Sequence, residues 1–187
     1  MSRGLGDVYK RQDNIRDHRH VTSLLHRIET TDTGVLVTPT LSFDERGHQV
    51  NHMTYYCVGW SGNGEKPVDF YPTAEDFVGE GGNFERPYAI VKNAEGVKAG
   101  TKIEGLEAVG GLHFSEITLE PEEECSYLIF TGITEDIQEI RNLSKTYTTR
   151  EKVLEELEKT KAYWQEKVNV AYHTGDSDFN QFMHWVS

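Results

Sequence analysis

The chain has 187 residues, 27% of them charged, and a formal net charge of −12. Nucleic acid and anionic membranes both call for clustered Lys and Arg, so that balance argues against either as a partner. There is no apolar run of about 18 residues to span a membrane, and the length allows about one domain with a sizeable core.

Met1–Gln12 (MSRGLGDVYKRQ) has no apolar core of the kind a signal peptide needs. It reads as a translated sequencing adapter, in one frame from Ser2 to Gln12, and is set aside from fold reasoning. The natural protein is then expected to begin upstream of Asp13. Arg3, Lys10 and Arg11 against Asp7 give this segment +2, which leaves −14 on the rest. Cys57 and Cys125 sit far apart in apolar, strand-like segments, so buried thiols are expected rather than a disulfide. Two cysteines without a visible secretion signal point to a reducing cytoplasm.

From Asp13 to about Ile133 the pattern is β. Val21–Ile28 and Val35–Phe43 are aliphatic and β-branched, and the polar stretch Thr30–Gly34 between them predicts a hairpin. Pro39 lacks a ladder donor, which predicts an edge strand or a bulge there. Asp44–His48 reads as a turn, Met53–Trp60 as an aromatic strand, and Ser61–Gly64 as the turn that closes it. Phe70–Pro87 holds three glycines and two prolines with no sustained period. It is expected to be a long ordered loop with one helical turn at Thr73–Phe77. Ala89–Val91 is expected as a short strand, Asn93–Ala108 as a polar connection, and Leu112–Leu119 and Ser126–Ile133 as strands. Glu120–Glu124 between the last two is a solvated turn. Short strands separated by turn signals predict a sandwich or barrel.

The period changes in the last third. Asp136–Tyr147 predicts a short helix. Thr148 and Glu151 fit a capping box, and Val153, Leu157, Trp164 and Val168 recur at helical spacing to about Lys167. That stripe is expected to bury Trp164. Asp176 or Asp178 can cap a further helix carrying Phe179, Phe182 and Val186 on one face.

No local pattern specifies chemistry. His18 and His20 form an H-x-H pair, but the three or four ligands at zinc spacing are not there, so no metal site is expected. Gly59–Gly64 and Gly79–Gly82 lack the strand-to-helix context of a phosphate loop and read as turn glycines. Asp44, Glu45, Glu75, Asp76, Glu80 and Glu85 supply carboxylates, the minimum for acting on a glycosidic bond, without showing that any two converge. Tyr55, Tyr56, Trp60 and Tyr71 can stack on a sugar or fill a core; in strands the core is the default.

Three stretches together resemble glycoside hydrolase family 94, formerly glycosyltransferase family 36. His20–Ile28 with Val35–Gln49 (RHVTSLLHRI and GVLVTPTLSFDERGHQ) is similar to late strands of that family's N-terminal sandwich. Phe77–Gly79 through Pro87–Ala89 resembles its F-[LIV]-G and P-x-A loop. Leu119–Gly132 resembles the closing strand pair, and Asp178–Ser187 the first helix of the catalytic domain. The wording of RHVTSLLHRI and FDERGHQ is nearest to the β-1,2-oligoglucan phosphorylase branch.

The resemblance implies a mainly β fold: a fragment of a galactose-mutarotase-like β-sandwich (supersandwich), followed by an α-helical linker. The expected divisions are 1–12 as adapter, 13–134 as the C-terminal part of the sandwich, 135–175 as linker and 176–187 as the start of an (α/α)6 catalytic domain. It further implies a homodimeric parent that cleaves a β-glucosidic bond with inorganic phosphate as co-substrate and inverts the anomeric centre. An Asp in the barrel is the general acid, and no metal or organic cofactor takes part. None of those barrel residues has a counterpart here, so this chain alone is expected to be inactive. Asp44, Glu45, Arg46, His48 and Gln49 are the candidates for contact with substrate or a neighbouring subunit. Two alternatives are a stand-alone carbohydrate-binding sandwich and a mutarotase-like epimerase; the latter needs a catalytic His and Glu on facing strands.

Overall fold

The computed structural model describes residues 24–44, 47–167 and 172–186, without the side chains of 42–48, 144 and 184–186. The readings made at Met1–Gln12, His18, His20, Val21 and Val168 lie outside the described residues. Contacts divide the chain into two compact units, Met1–Thr149 and Arg150–Ser187.

In chain order the first unit forms β1 (His26–Thr30), β2 (Gly34–Pro39), β3 (Leu41–Asp44), β4 (Gly47–Val50), β5 (Thr54–Ser61) and β6 (Asp69–Thr73). Then follow α1 (Ala74–Val78), α2 (Tyr88–Lys92), β7 (Lys102–Glu104), β8 (Ala108–His113), β9 (Tyr127–Thr134) and α3 (Ile137–Thr146). The main sheet has the order β7-β1-β2-β5-β9, and each neighbouring pair is antiparallel. β3 with β4, and β6 with β8, make two separate two-stranded sheets.

The period-2 alternation of the strands sorts their side chains onto two faces. On one face Leu36, Val58 and Trp60 form a core with Ile140 of α3, and Tyr56, Phe130 and Leu143 pack around it. Trp60 meets Phe130 edge to face at 5.4 Å between ring centres. Asp136 caps α3 by accepting the Gln138 N–H at 2.8 Å. On the opposite face Ile28, Val35 and Phe70 form the second core, with Val37, Val97, Ile103, Ala108 and Leu112 around it. The β6–β8 pair is the layer that closes this face.

Two polar contacts hold that layer. Thr30, buried, donates to Lys98 O at 2.7 Å and accepts the Thr101 N–H at 3.0 Å, tying the 98–101 segment to β1. Asp69, also buried, sits opposite His113 in the β6–β8 ladder. Its Oδ1 lies 2.7 Å from His113 Nδ1 and its Oδ2 3.7 Å from Lys98 Nζ, partners that a carboxylate removed from water requires.

Several expectations are corrected. Asp69–Thr73 is a strand buried at every position, not part of a loop; covered on both sides, it shows no alternation for sequence reading to find. Tyr88–Lys92 is a helical turn rather than a strand, with Pro87 at its N-cap and Asn93 in the left-handed region after it. The polar connection contains β7, and the strand expected at Leu112–Leu119 lies earlier, at Ala108–His113. β2 is interior in the sheet, so Pro39 marks no edge; it ends the strand. Cys125 is exposed and Cys57 only half-buried; both are free thiols. The Glu120–Glu124 turn is solvent-exposed, as expected.

The second unit holds α4 (Arg150–Lys167) and α5 (Ser177–Val186). α4 starts one residue later than a Thr148 cap requires and contains no buried residue. Lys159 pairs with Glu155 and Glu156 at 3.1 and 2.6 Å, and these contacts push its pKa up to about 12. Asp176 accepts the Asp178 and Phe179 N–H groups at 3.0 and 3.1 Å, so it is the residue that caps α5.

The expected burial of Trp164 is overturned: the residue is 58% exposed, against 2% for Trp60. Trp60→Ala is expected to cost about 3–5 kcal/mol, and Trp164→Ala less than about 0.5 kcal/mol. Urea unfolding followed by circular dichroism checks both, and equal losses would contradict this assignment of the core.

Candidate functional site

Three of the predicted site residues, Asp44, His48 and Gln49, lie on an arm that leaves the main sheet. β5 pairs with β2 only over Gly34–Val37. β1 follows β2 further, to His26 opposite Pro39, and beyond that pair the Thr40 N–H donates to Leu25 O at 2.9 Å. Pro39 has no donor to extend the ladder, and the chain turns out after it. It then pairs with itself, Leu41 opposite Val50 through to Asp44 opposite Gly47, the spacing of a two-residue hairpin loop.

Asn51 fastens the foot of this arm. Its Nδ2 donates to Pro39 O at 3.0 Å and to Met53 O at 2.9 Å, and its Oδ1 accepts the Met53 N–H at 3.3 Å. The Asn51 N–H reaches Thr40 O at 3.3 Å. Sequence reasoning overlooked Asn51. The available signal was an Asx residue where one strand run stops and the next begins.

Of the five candidates, Asp44 ends β3, and His48 and Gln49 lie inside β4. The turn expected at Asp44–His48 is thus the end of a hairpin, with Asp44 and Gly47 paired on either side of it and β4 running on to Val50. The backbone places Asp44, His48 and Gln49 on one narrow two-stranded element, with Gln49 solvent-exposed. Glu45 and Arg46 lie outside the described residues.

Beside the foot of the arm is a half-open apolar cavity of about 600 Å3, walled by Leu25, Val37, Pro39, Leu41, Tyr55 and Val109. Polar groups enter it at three points: Asn51, His26 and Cys57. His26 Nδ1 is buried without a hydrogen-bond partner among the described residues. The Cys57 thiol donates to Gly110 O at 3.3 Å, and burial pushes its pKa up, which keeps it protonated and weakly nucleophilic.

The four aromatics considered for stacking divide. Trp60 and Tyr71 are core and Tyr56 packs on the first core cluster, while Tyr55 stays half exposed on the cavity wall. The Tyr71 hydroxyl donates to Ala94 O, and burial, then the charge of Asp69, raises its pKa.

The long loop expected over Phe70–Pro87 is partly strand and helix. Glu75, Asp76, Glu80 and Glu85 are all exposed on it. Asp76 serves the α1 cap, donating its N–H to Thr73 Oγ1 at 3.1 Å and accepting the Thr73 hydroxyl at 2.7 Å. Among the glycines read as turn residues, Gly64, Gly79 and Gly81 have positive φ, and Gly59 is instead a buried residue of β5. Among the described residues no three His, Cys, Asp or Glu side chains converge on a point that could hold a metal ion.

Comparison with protein families finds a match. A model described as glycosyl hydrolase 94, supersandwich domain, matches residues 9–150, well over half of the chain. The match ends at the boundary between the two structural units, and its start overlaps the last residues of the Met1–Gln12 segment. No match was found among curated proteins.

Replacing Asn51 by Ala removes three hydrogen bonds at the foot of the arm. Amide exchange in Leu41–Asp44 and Gly47–Val50 is expected to accelerate by at least about tenfold, since one unmade bond is worth on the order of 1 kcal/mol or more. Exchange in β5 should stay within about twofold of the parent. Unchanged exchange in the arm would show that Asn51 does not hold it.

Proposed function

Because the chain belongs to the glycosyl hydrolase 94 supersandwich-domain family, we propose that it is the sandwich portion of a carbohydrate phosphorylase and serves there as a scaffold. The parent enzyme cleaves a β-glucosidic bond with inorganic phosphate, inverting the anomeric centre, and needs no metal or organic cofactor. The reacting groups belong to a catalytic domain outside this chain. What the sandwich contributes is the arm, Leu41–Val50, which carries Asp44, Glu45, Arg46, His48 and Gln49 toward a sugar or a neighbouring subunit of a homodimer.

The family match carries this reading, and the form of the arm supports it. A rigid scaffold presenting a polar projection is a common way to place binding groups. A two-stranded ribbon standing apart from the main sheet is marginal by itself, which fits an element completed by a partner surface. In sequence, Asp44–Gln49 combines carboxylate, guanidinium, imidazole and amide, the groups that pair with sugar hydroxyls. The acidic balance of −12 disfavours nucleic acid and anionic lipid as partners.

Two measurements test the proposal. The 187-residue chain, incubated with β-linked gluco-oligosaccharides and phosphate, is expected to release no sugar 1-phosphate above a heat-killed control; release would place the chemistry in this chain. In a longer protein that carries the catalytic domain, Asp44→Ala and His48→Ala are expected to raise the oligosaccharide KM several-fold or weaken dimerisation, with kcat and thermal stability little changed. Unchanged KM and sedimentation in both variants would reduce the arm to ordinary surface.

A further inference from the structure

A second concavity lies away from the arm. It is enclosed by the turn after β5 on one side and by the 114–126 crossover on the other, with β9 at its base, and measures about 270 Å3. That is smaller than the usual drug-sized site and fits one six-membered ring rather than two. Its lining is mainly polar, with one aromatic pair: Phe114 and Tyr127 meet at 4.6 Å between ring centres, inclined by 45°. Both rings line the cavity, and Tyr127 stays 42% exposed.

The turn that faces these rings is held tightly. Ser61 N–H donates to Glu65 O at 2.8 Å, and the Glu65 N–H donates to Ser61 Oγ at 3.0 Å. Gly62 N–H donates to Ser126 O at 2.6 Å, joining the turn to the start of β9. A Cβ at position 62 would lie 2.1 Å from Ser126 Oγ, which would have to rotate away, and 3.2 Å from Ser126 O, which shows how closely the two walls approach. The Glu65 carboxylate, 3.4 Å from Ser61 Oγ, and the Asn63 amide therefore line the same small space as the rings. The Tyr127 phenol feels this setting: burial first, then Cys125, then Glu65 raise its pKa, so it remains a hydrogen-bond donor at neutral pH. Lys66, on the same rim, is paired with Asp32.

We propose that the cleft between Ser61–Lys66 and Phe114–Tyr127 is a non-catalytic binding site for a single hexopyranose ring. The apolar C–H face of the sugar lies on Tyr127 and Phe114, and Glu65 and Asn63 pair with its hydroxyls. A ring with one apolar face and a rim of donors and acceptors matches a pocket with an aromatic base and a carboxylate-amide wall. A compact cation would also find carboxylate and ring here. The sugar is preferred because the polar wall offers both donors and acceptors, and because of the carbohydrate role proposed above, on which this preference rests. The site goes beyond that role, since it needs neither the arm nor a catalytic domain.

The test is an amide-resolved NMR titration of the whole 187-residue chain with methyl β-D-glucopyranoside, with choline chloride in parallel. Saturable shifts confined to Ser61–Lys66 and Phe114–Tyr127 are expected, with a Kd on the order of 1–10 mM, the weak range for a single exposed ring. Tyr127→Ala and Glu65→Gln are each expected to weaken binding by about tenfold or more. Phe84→Ala, which removes an exposed aromatic away from the cleft, should leave it unchanged. Glu65→Gln keeps the side-chain shape, so it guards against loss of fold in the tyrosine variant. No saturable shift up to about 100 mM sugar, tighter binding of choline, or equal binding by both variants would each overturn the proposal. Phosphorylase assays do not enter this readout, so failure here is distinguishable from failure of the scaffold reading.

Discussion

The pairing of β2 with β5 depends on residue 34 having no side chain. A Cβ built there would lie 2.0 Å from Cys57 O and 2.6 Å from Val58 Cα, inside the backbone of the neighbouring strand. With glycine in place the strands close, Gly34 opposite Val58 and Val35 opposite Cys57. That register settles which side chains go to which face, because a slip of one residue would exchange the faces. Leu36, Val58 and Trp60 then point to α3, and Val35 and Val37 to the β6–β8 layer. The outer strands follow, β1 and β7 beyond β2, and β9 beyond β5.

The positions of the arm and of the small cleft both follow from this centre. β2 is engaged on both edges only as far as Val37, so the chain past Pro39 is free to leave the sheet and return on itself. Asn51 joins the two ends of that excursion. At the other end of β5 the pairing runs on to Ser61 opposite Tyr127, which brings the turn after Ser61 against the crossover that enters β9. A projecting ribbon and a ring-sized cleft thus lie at the two ends of one eight-residue strand.

What sequence reading recovered and what it missed differ in a physical way. β1, β2, β5 and β9 carry β-branched and aromatic residues with polar turns between them, and the α3 and α5 starts carry acidic caps; these signals are local. β6 contains Pro72 and is buried on every side, so its identity depends on the partner strand β8, which lies far along the chain. Tyr88–Lys92 has the composition of a strand, but Pro87 precedes it and Asn93 takes the left-handed conformation after it, and that geometry makes a helical turn. In α4 a helical stripe was legible, yet Leu154 and Tyr163 interrupt it with further apolar residues on other sides, and Leu154, Leu157, Tyr163 and Trp164 are all exposed. Periodicity located the helix without telling whether anything covers it.

The same division applies to function. Membership in the family was legible from ordered stretches of sequence and agrees with the match over residues 9–150. The candidate residues Asp44, His48 and Gln49 were visible as a polar interruption between strands, but not as a ribbon, because its pairing depends on Pro39 ending β2 and on Asn51 closing the foot. The cleft at Phe114 and Tyr127 was invisible, since its two walls are about fifty residues apart in sequence.

The central claim is that the β2–β5 pair sets the fold, and Gly34→Ala tests it most directly. The methyl group has nowhere to go without parting the two strands. Urea unfolding should show a loss of about 3 kcal/mol or more, with Gly175→Ala, which adds a methyl group in open space, within about 0.5 kcal/mol of the parent. A Gly34→Ala variant as stable as the Gly175→Ala control would contradict the account.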